Sequence, residues 1–304
     1  MKQISRREFV TLAAVSAVAR RAEPYSRVFS PPLAITAQDI VNRIRQKAGG
    51  EWKTDTVDTF KAGDPATVVK GIATTAMATM DVLRRAVKAG ANLVITCEPT
   101  FFSKSDNVSP PSGRGASPTA AGDRIFAAKN EFIKTEGLVI WRFSDHWRQQ
   151  KPDPLALGLT DALGWSQFRV PTDATRVTIP AITLEALASD LKRKLDARGG
   201  IRVVGDPQLK LQKIGLLPGT TTIQAALALL PSVDAVVAGE VREWESVEYV
   251  RDKVTAGEKK SLILLGRVIS EDPGMSVCEQ WVKSIAPEVP TLWIPAGDPY
   301  WRPI

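Results

Sequence analysis

KGIATTAMATMDVLRRAVKAGANLVITCEP, residues 70–99, is the stretch on which the fold turns. Lys70 to Thr75 alternates as a strand does. Val82, Leu83, Ala86 and Val87 then recur at helical spacing until Gly90 stops the pattern. Leu93-Val94-Ile95-Thr96 follows as a short apolar run, which reads as a buried strand. A strand, a helix and a strand in so few residues make a βαβ unit with parallel strands.

Working outward, the same alternation continues. Upstream, Thr36 and Asp39 form a capping box ahead of a helix with the stripe Ile40, Val41 and Ile44, closed by Gly49-Gly50. Downstream, residues 103–122 are rich in Ser, Pro and Gly and read as a surface loop. A helix is predicted from Arg124 to Lys134 and a strand from Leu138 to Phe143. Beyond Gly164, strands are predicted at Val177–Ile179, Ile201–Val204, Lys213–Leu217, Ala235–Val237, Leu262–Leu265 and Thr291–Ile294. Helices are predicted after Thr183 (with Leu184, Leu187, Leu191 and Leu195), at Thr222–Leu230, at Trp244–Arg251 and at Ser276–Ile285. Such alternation implies an α/β fold with largely parallel sheets, and 304 residues suggest about two domains. The expected division is 35–163 plus 272–304 for the first domain and 164–271 for the second, after a signal and linker in 1–34.

Ser5-Arg6-Arg7-Glu8-Phe9-Val10, an apolar run to Ala19 and the small residues Ala17-Val18-Ala19 have the layout of a twin-arginine signal peptide. The apolar run is too short to span a bilayer, which takes roughly 20 residues. The expectation is export to the periplasm or medium, without stable membrane insertion. The net charge of +7 comes from scattered Lys and Arg with no groove-reading motif, so no nucleic-acid partner is expected. Two distant cysteines, Cys97 and Cys278, make neither a disulfide framework nor a structural zinc site. A single histidine, His146, argues against an imidazole-rich metal centre.

In open parallel sheets ligands bind beyond the C-terminal ends of the strands. Those ends carry Cys97-Glu98, Ser144-Asp145-His146, Gly239-Glu240 and Gly266-Arg267, with Ser270-Glu271 one turn later. Four carboxylates at one sheet edge point to a shared site. His146 alternates to the other face of an extended chain from Asp145 and reads as structural. Cys278, beside Val277 and Trp281, reads as packing. Pro218-Gly219-Thr220-Thr221-Thr222 reads as a Thr-capped turn rather than an anion cradle, and Gly205-Asp206-Pro207 as a turn.

Thr56-Val57-Asp58-Thr59-Phe60-Lys61-Ala62-Gly63-Asp64, Gly71-Ile72-Ala73-Thr74-Thr75 and Thr96-Cys97-Glu98-Pro99-Thr100-Phe101 resemble the N-terminal half of the NIF-three-like dinuclear-metal proteins. Trp141-Arg142-Phe143-Ser144-Asp145-His146-Trp147, Gly239-Glu240-Val241-Arg242-Glu243-Trp244 and Gly266-Arg267-Val268-Ile269-Ser270-Glu271 resemble the rest, in the same order. The resemblance runs from residue 36 to the end. It implies two linked α/β domains, a homohexameric ring and a pair of divalent metals between the domains; some members are labelled GTP cyclohydrolase type 2 homologues. By resemblance, Glu98, Asp145 and Glu271 fall on metal-ligand positions. Cys97, Ser144, Arg148 and Arg267 stand where such proteins often have histidine. A Cys97 thiolate can replace an imidazole at zinc, whereas the Arg267 guanidinium has no lone pair to give.

The resemblance therefore implies zinc, manganese or iron at one site or none, held by Cys97, Glu98, Asp145 and Glu271, with Arg267, Ser144 and His146 lining it. Arg267 would replace the charge of one metal and pair with Asp145 or Glu271. If the chain is catalytic, a metal would activate water toward a small substrate, with Glu240 as the base. The alternative is a non-catalytic oligomeric binding or scaffold protein whose metal site has been lost.

Overall fold

The computed structural model of the protein describes residues 34–103, 106 and 124–303. The twin-arginine segment and most of the Ser/Pro/Gly-rich stretch at 103–122 lie outside the described residues. Ile35–Ile304 forms one compact unit.

The first sheet comprises β1 (Phe60–Ala62), β2 (Ile72–Thr75), β3 (Leu93–Thr96), β4 (Val139–Arg142) and β11 (Thr291–Trp293), in the order β1-β4-β3-β2-β11. Every pairing is parallel except β1 with β4. The two-residue period sorts its side chains. Leu93, Ile95, Val139 and Trp141 face one core with α1 (Ala37–Ala48), while Val94 and Ile140 face another with α2 (Met80–Lys88) and α3 (Arg124–Thr135). Helices on both faces explain why these strands read as unbroken apolar runs. Thr36 and Asp39 form the capping box expected of them, and Gly49 closes α1.

After β4 come α4 (Asp145–Gln149) and α5 (Pro154–Ala162), neither of which the apolar period predicts. The second sheet comprises β5 (Arg169–Val170), β6 (Asp173–Thr183), β7 (Arg202–Val204), β8 (Lys210–Thr220), β9 (Ala235–Glu240) and β10 (Ser261–Leu264), in the order β5-β6-β8-β9-β10-β7. Here β8, β9 and β10 run parallel, while β5, β6 and β7 join antiparallel. The architecture is α/β with two sheets, and the second sheet is the more mixed. One of its faces packs α5 and α6 (Leu184–Lys194); the other packs α7 (Ile223–Leu229) and α8 (Glu248–Thr255). The helix predicted at Trp244–Arg251 is a π-turn over Glu243–Val247 that continues into α8. Among the described residues no helix is long and apolar enough to cross a membrane.

α9 (Arg267–Ile285) starts at the tip of β10, nine residues before the predicted Ser276 start. The sequence misleads at Pro273, which lacks the N–H an α-helix uses at that position yet lies inside α9. α9 joins the two sheets. Ile269 packs in the core of the second, and Met275, Cys278 and Val282 in the core of the first. Two side chains fix its path. The Asp272 carboxylate accepts the N–H groups of Ala76 (3.2 Å) and Gly297 (2.9 Å), and the Thr74 hydroxyl donates to the Met275 carbonyl at 2.7 Å.

Where α5 crosses α9, a Cβ on Gly158 would stand 2.2 Å from the Pro273 carbonyl oxygen, and one on Gly274 2.7 Å from Leu155 Cα. Both neighbours are backbone atoms that cannot swing aside. Gly158→Ala is therefore expected to cost about 3 kcal/mol of stability, the upper end for overpacking, read as a lowered urea midpoint with an unchanged slope.

Candidate functional site

The tips of β3, β8, β9 and β10 meet the start of α9 and the short helix α4. Glu98 follows β3, and Glu271 stands one turn into α9; both are buried, as is Cys97. One ligand atom from each of Cys97, Glu98 and Glu271 lies within 4.8 Å of the other two, a spacing that a single metal ion could reach. Two glycines let the sheet approach this closely. A Cβ on Gly219 (φ +79°) would lie 2.2 Å from Glu271 Oε1, and one on Gly239 would lie 2.3 Å from Ser270 Oγ. The Gly219 N–H donates to Ser270 Oγ at 2.9 Å. Pro218-Gly219 thus belongs to the end of β8 and to the wall of the site, not to a free turn.

The point shared by the three candidate ligands is filled by Arg148. Its Nη2 donates to Glu271 Oε1 at 2.5 Å and to Glu98 Oε1 at 2.8 Å, and lies 3.5 Å from Cys97 Sγ. Arg267 takes the other side: its Nη2 lies 2.6 Å from Glu98 Oε2, and its Nε 3.8 Å from Glu271 Oε1. Two guanidinium groups thus face two carboxylates. Burial pulls the Arg148 guanidinium down, but Cys97, Glu271 and Glu98 around it more than offset this and hold it above its ordinary value. Burial pushes the Cys97 thiol up to about 12, so at neutral pH it keeps its proton. In this arrangement the three donors are not open to a divalent ion, because the Arg148 guanidinium stands at their focus. Glu271 Oε2 is buried with no hydrogen-bond partner.

Arg148 reaches this point because Asp58 builds the helix that carries it. The buried Asp58 carboxylate accepts the backbone N–H groups of Ser144 (2.6 Å), Asp145 (3.0 Å) and His146 (2.8 Å), so it caps α4 from 86 residues upstream. The cap winds 145–149 into a turn and directs Arg148 back over β3. Ser144 Oγ lies 3.9 Å from Cys97 Sγ and accepts from Arg148 Nε at 3.4 Å.

The other expected residues stand apart. Asp145 faces away from the cluster; its Oδ2 accepts from the Thr56 hydroxyl (2.9 Å) and the Val57 N–H (3.1 Å). Of the two partners expected for Arg267, Glu271 is met and Asp145 is not; Glu98 stands in its place, because the α4 turn carries the Asp145 side chain toward the 56–57 loop. His146 stacks on Trp52 with centroids 3.6 Å apart, its Nδ1 2.7 Å from Asp58 and its Nε2 accepting the Lys53 N–H at 3.2 Å. That geometry assigns the proton to Nδ1 and uses both nitrogens within the fold. Glu240 is exposed at the rim, 3.9 Å from Arg267 Nη1, and accepts from Thr220 Oγ1 at 3.3 Å. Arg148 and Asp58 are the residues that the sequence pattern did not single out as chemistry. The one signal was that Arg148 occupies a position often held by histidine in similar chains.

No family model matches the sequence, and no curated protein matches it. Solved structures do match its fold. A Bacillus cereus protein related to NIF3 aligns with a TM-score of 0.67 at 13% identity, over 89% of this chain and 99% of its own. The Staphylococcus aureus hypothetical protein SA1388 aligns with a TM-score of 0.66 at 14% identity, over 88% and 99%. Protein ybgI, of unknown function, aligns with a TM-score of 0.61 at 17% identity, over 87% and 100%. The chain therefore has the NIF3-like fold, along nearly the full length of each of these proteins.

Two outcomes follow for the centre. Arg148→Ala leaves Glu98 and Glu271 buried with Arg267 alone, and should lower unfolding free energy by about 3 kcal/mol in urea. Burial, reinforced by Glu98 and opposed by Arg148 and Arg267, pushes the Glu271 carboxyl from the usual 4.5 up to about 7. The folded state thus binds that proton more tightly than the unfolded chain. The contribution is fully present below about pH 4.5 and is lost as pH rises to about 7. Urea midpoints across that window should fall with rising pH in the wild type and fall less in Glu271→Gln.

Proposed function

We propose that this chain is a NIF3-fold binding or scaffold protein in which an arginine-bridged cluster replaces a metal centre. The observation that carries the reading is the position of Arg148 Nη2, 2.5 and 2.8 Å from two buried carboxylate oxygens. A guanidinium there supplies the positive charge that converging carboxylates require, and it leaves no open coordination position at which water could be activated. Arg267 adds the second charge. Glu240, the expected base, lies at the exposed rim with Arg267 between it and Glu98. The reading takes with it the export and the homo-oligomeric assembly expected from the sequence.

A second reading has one observation in its favour. Glu271 Oε2 lacks a partner, and Cys97, Glu98 and Glu271 have the spacing of a three-ligand site. If Arg148 swings out, one divalent ion would find three donors. Elemental analysis separates the two. After exposure to zinc or manganese and dialysis, the wild-type chain should retain no stoichiometric metal, whereas an Arg148→His, Arg267→His double variant should gain an ion. One ion per wild-type chain would overturn the arginine-bridged reading in favour of the second.

A further inference from the structure

β7 ends the second sheet: it pairs antiparallel with β10 on one side and with no described strand on the other. The Ile201 carbonyl already turns to that open side, where it accepts from Arg302 Nη2 at 3.1 Å. By the two-residue period of a strand, the N–H and C=O of Val203 face the same way. Beside this edge runs a cleft of about 340 Å³, lined by Leu184, Ala188 and Lys192 of α6 and by Ile201, Val203 and Gly205. Val203 is 41% exposed, an apolar side chain on an unpaired edge. Natural sheets usually blunt such an edge with charge, proline or a covering segment.

The two ends of the cleft differ in charge. α6 runs opposite to β7. Its start lies by Pro207, whose carbonyl accepts the Glu185 N–H, and its end lies by Ala197 and Gly200. Glu185 therefore lines one end, and Lys192 and Arg302 the other. Neither Lys192 nor Arg302 forms an ion pair with a described carboxylate.

We propose that this cleft docks an extended peptide that adds to β7 as a further antiparallel strand, with its C-terminal carboxylate, or an acidic side chain there, between Lys192 and Arg302. The direction follows from the charges. An antiparallel peptide runs from the Gly205 end toward the Ile201 end, bringing its N-terminal part past Glu185 and its carboxylate to Lys192 and Arg302. A parallel peptide would place its carboxylate against Glu185. Main-chain bonds to Val203 supply affinity, and the apolar floor takes alternate side chains. The site is separate from the Arg148 cluster and shares no residue with it, so loss of either leaves the other testable.

The probe is a dye-labelled hexapeptide of alternating valine and threonine with a free C-terminal carboxylate, titrated with the full chain and followed by fluorescence anisotropy. Binding is expected, and C-terminal amidation or Lys192→Glu should each weaken it by about tenfold, the size of one lost charge contact. Lys192 is exposed, so the variant should fold normally; its urea midpoint checks this. Glu185→Lys should leave the affinity for the carboxylate peptide within twofold. Absence of binding, or equal affinity for the amide and in Lys192→Glu, would overturn the proposal. So would concentration-dependent self-association that blocks the peptide, since the edge would then belong to a second copy of the chain.

Discussion

The contact of Arg148 with Glu98 and Glu271 is the interaction around which the centre of this molecule is arranged. Two carboxylates cannot stay ionised and buried beside each other without a cation to share. The cation here is a side chain. It comes from α4, which exists because Asp58 caps it, and it meets Glu98 from the first sheet and Glu271 from the start of α9. The glycines at 219 and 239 are then required, because any Cβ there would enter the space these groups use.

α9 gives this contact its reach. It leaves the tip of β10, places Arg267, Ser270 and Glu271 over the second sheet within its first turns, and then lies on the first sheet through Met275, Cys278 and Val282. A charge cluster at its start and an apolar seam along its remainder tie the two sheets together. In this NIF3-like fold the buried carboxylates at the meeting of the two sheets stand against guanidinium groups. A guanidinium is planar, permanently charged and only a donor, so it can balance carboxylates but cannot polarise a bound water as a divalent ion does.

Much of the scaffold was legible in the chain. The short strand runs at 72–75, 93–96 and 139–142 and the capping box of Thr36 and Asp39 are local patterns, set by residues within a few positions of each other. Glu98 and Glu271 were legible as residues of a shared site, because strand tips converge in such folds. Local pattern misled at Pro273, which interrupts a helix signal without interrupting the helix, and at 145–149, where the cap comes from a residue far upstream.

By itself, then, the sequence determined the α/β class, the places of most of the longer strands and helices along the chain, and a set of carboxylates beside a single histidine. Only the tertiary structure decided which of those carboxylates meet, that Arg148 stands between two of them, that Asp145 turns away toward Thr56, and that β7 is left with an open edge beside Lys192. The physical reason is range. Backbone propensity and apolar period act over a turn or a few strand residues. An ion pair between residues 148 and 271, or the vacant side of a strand, is fixed only when distant segments have packed.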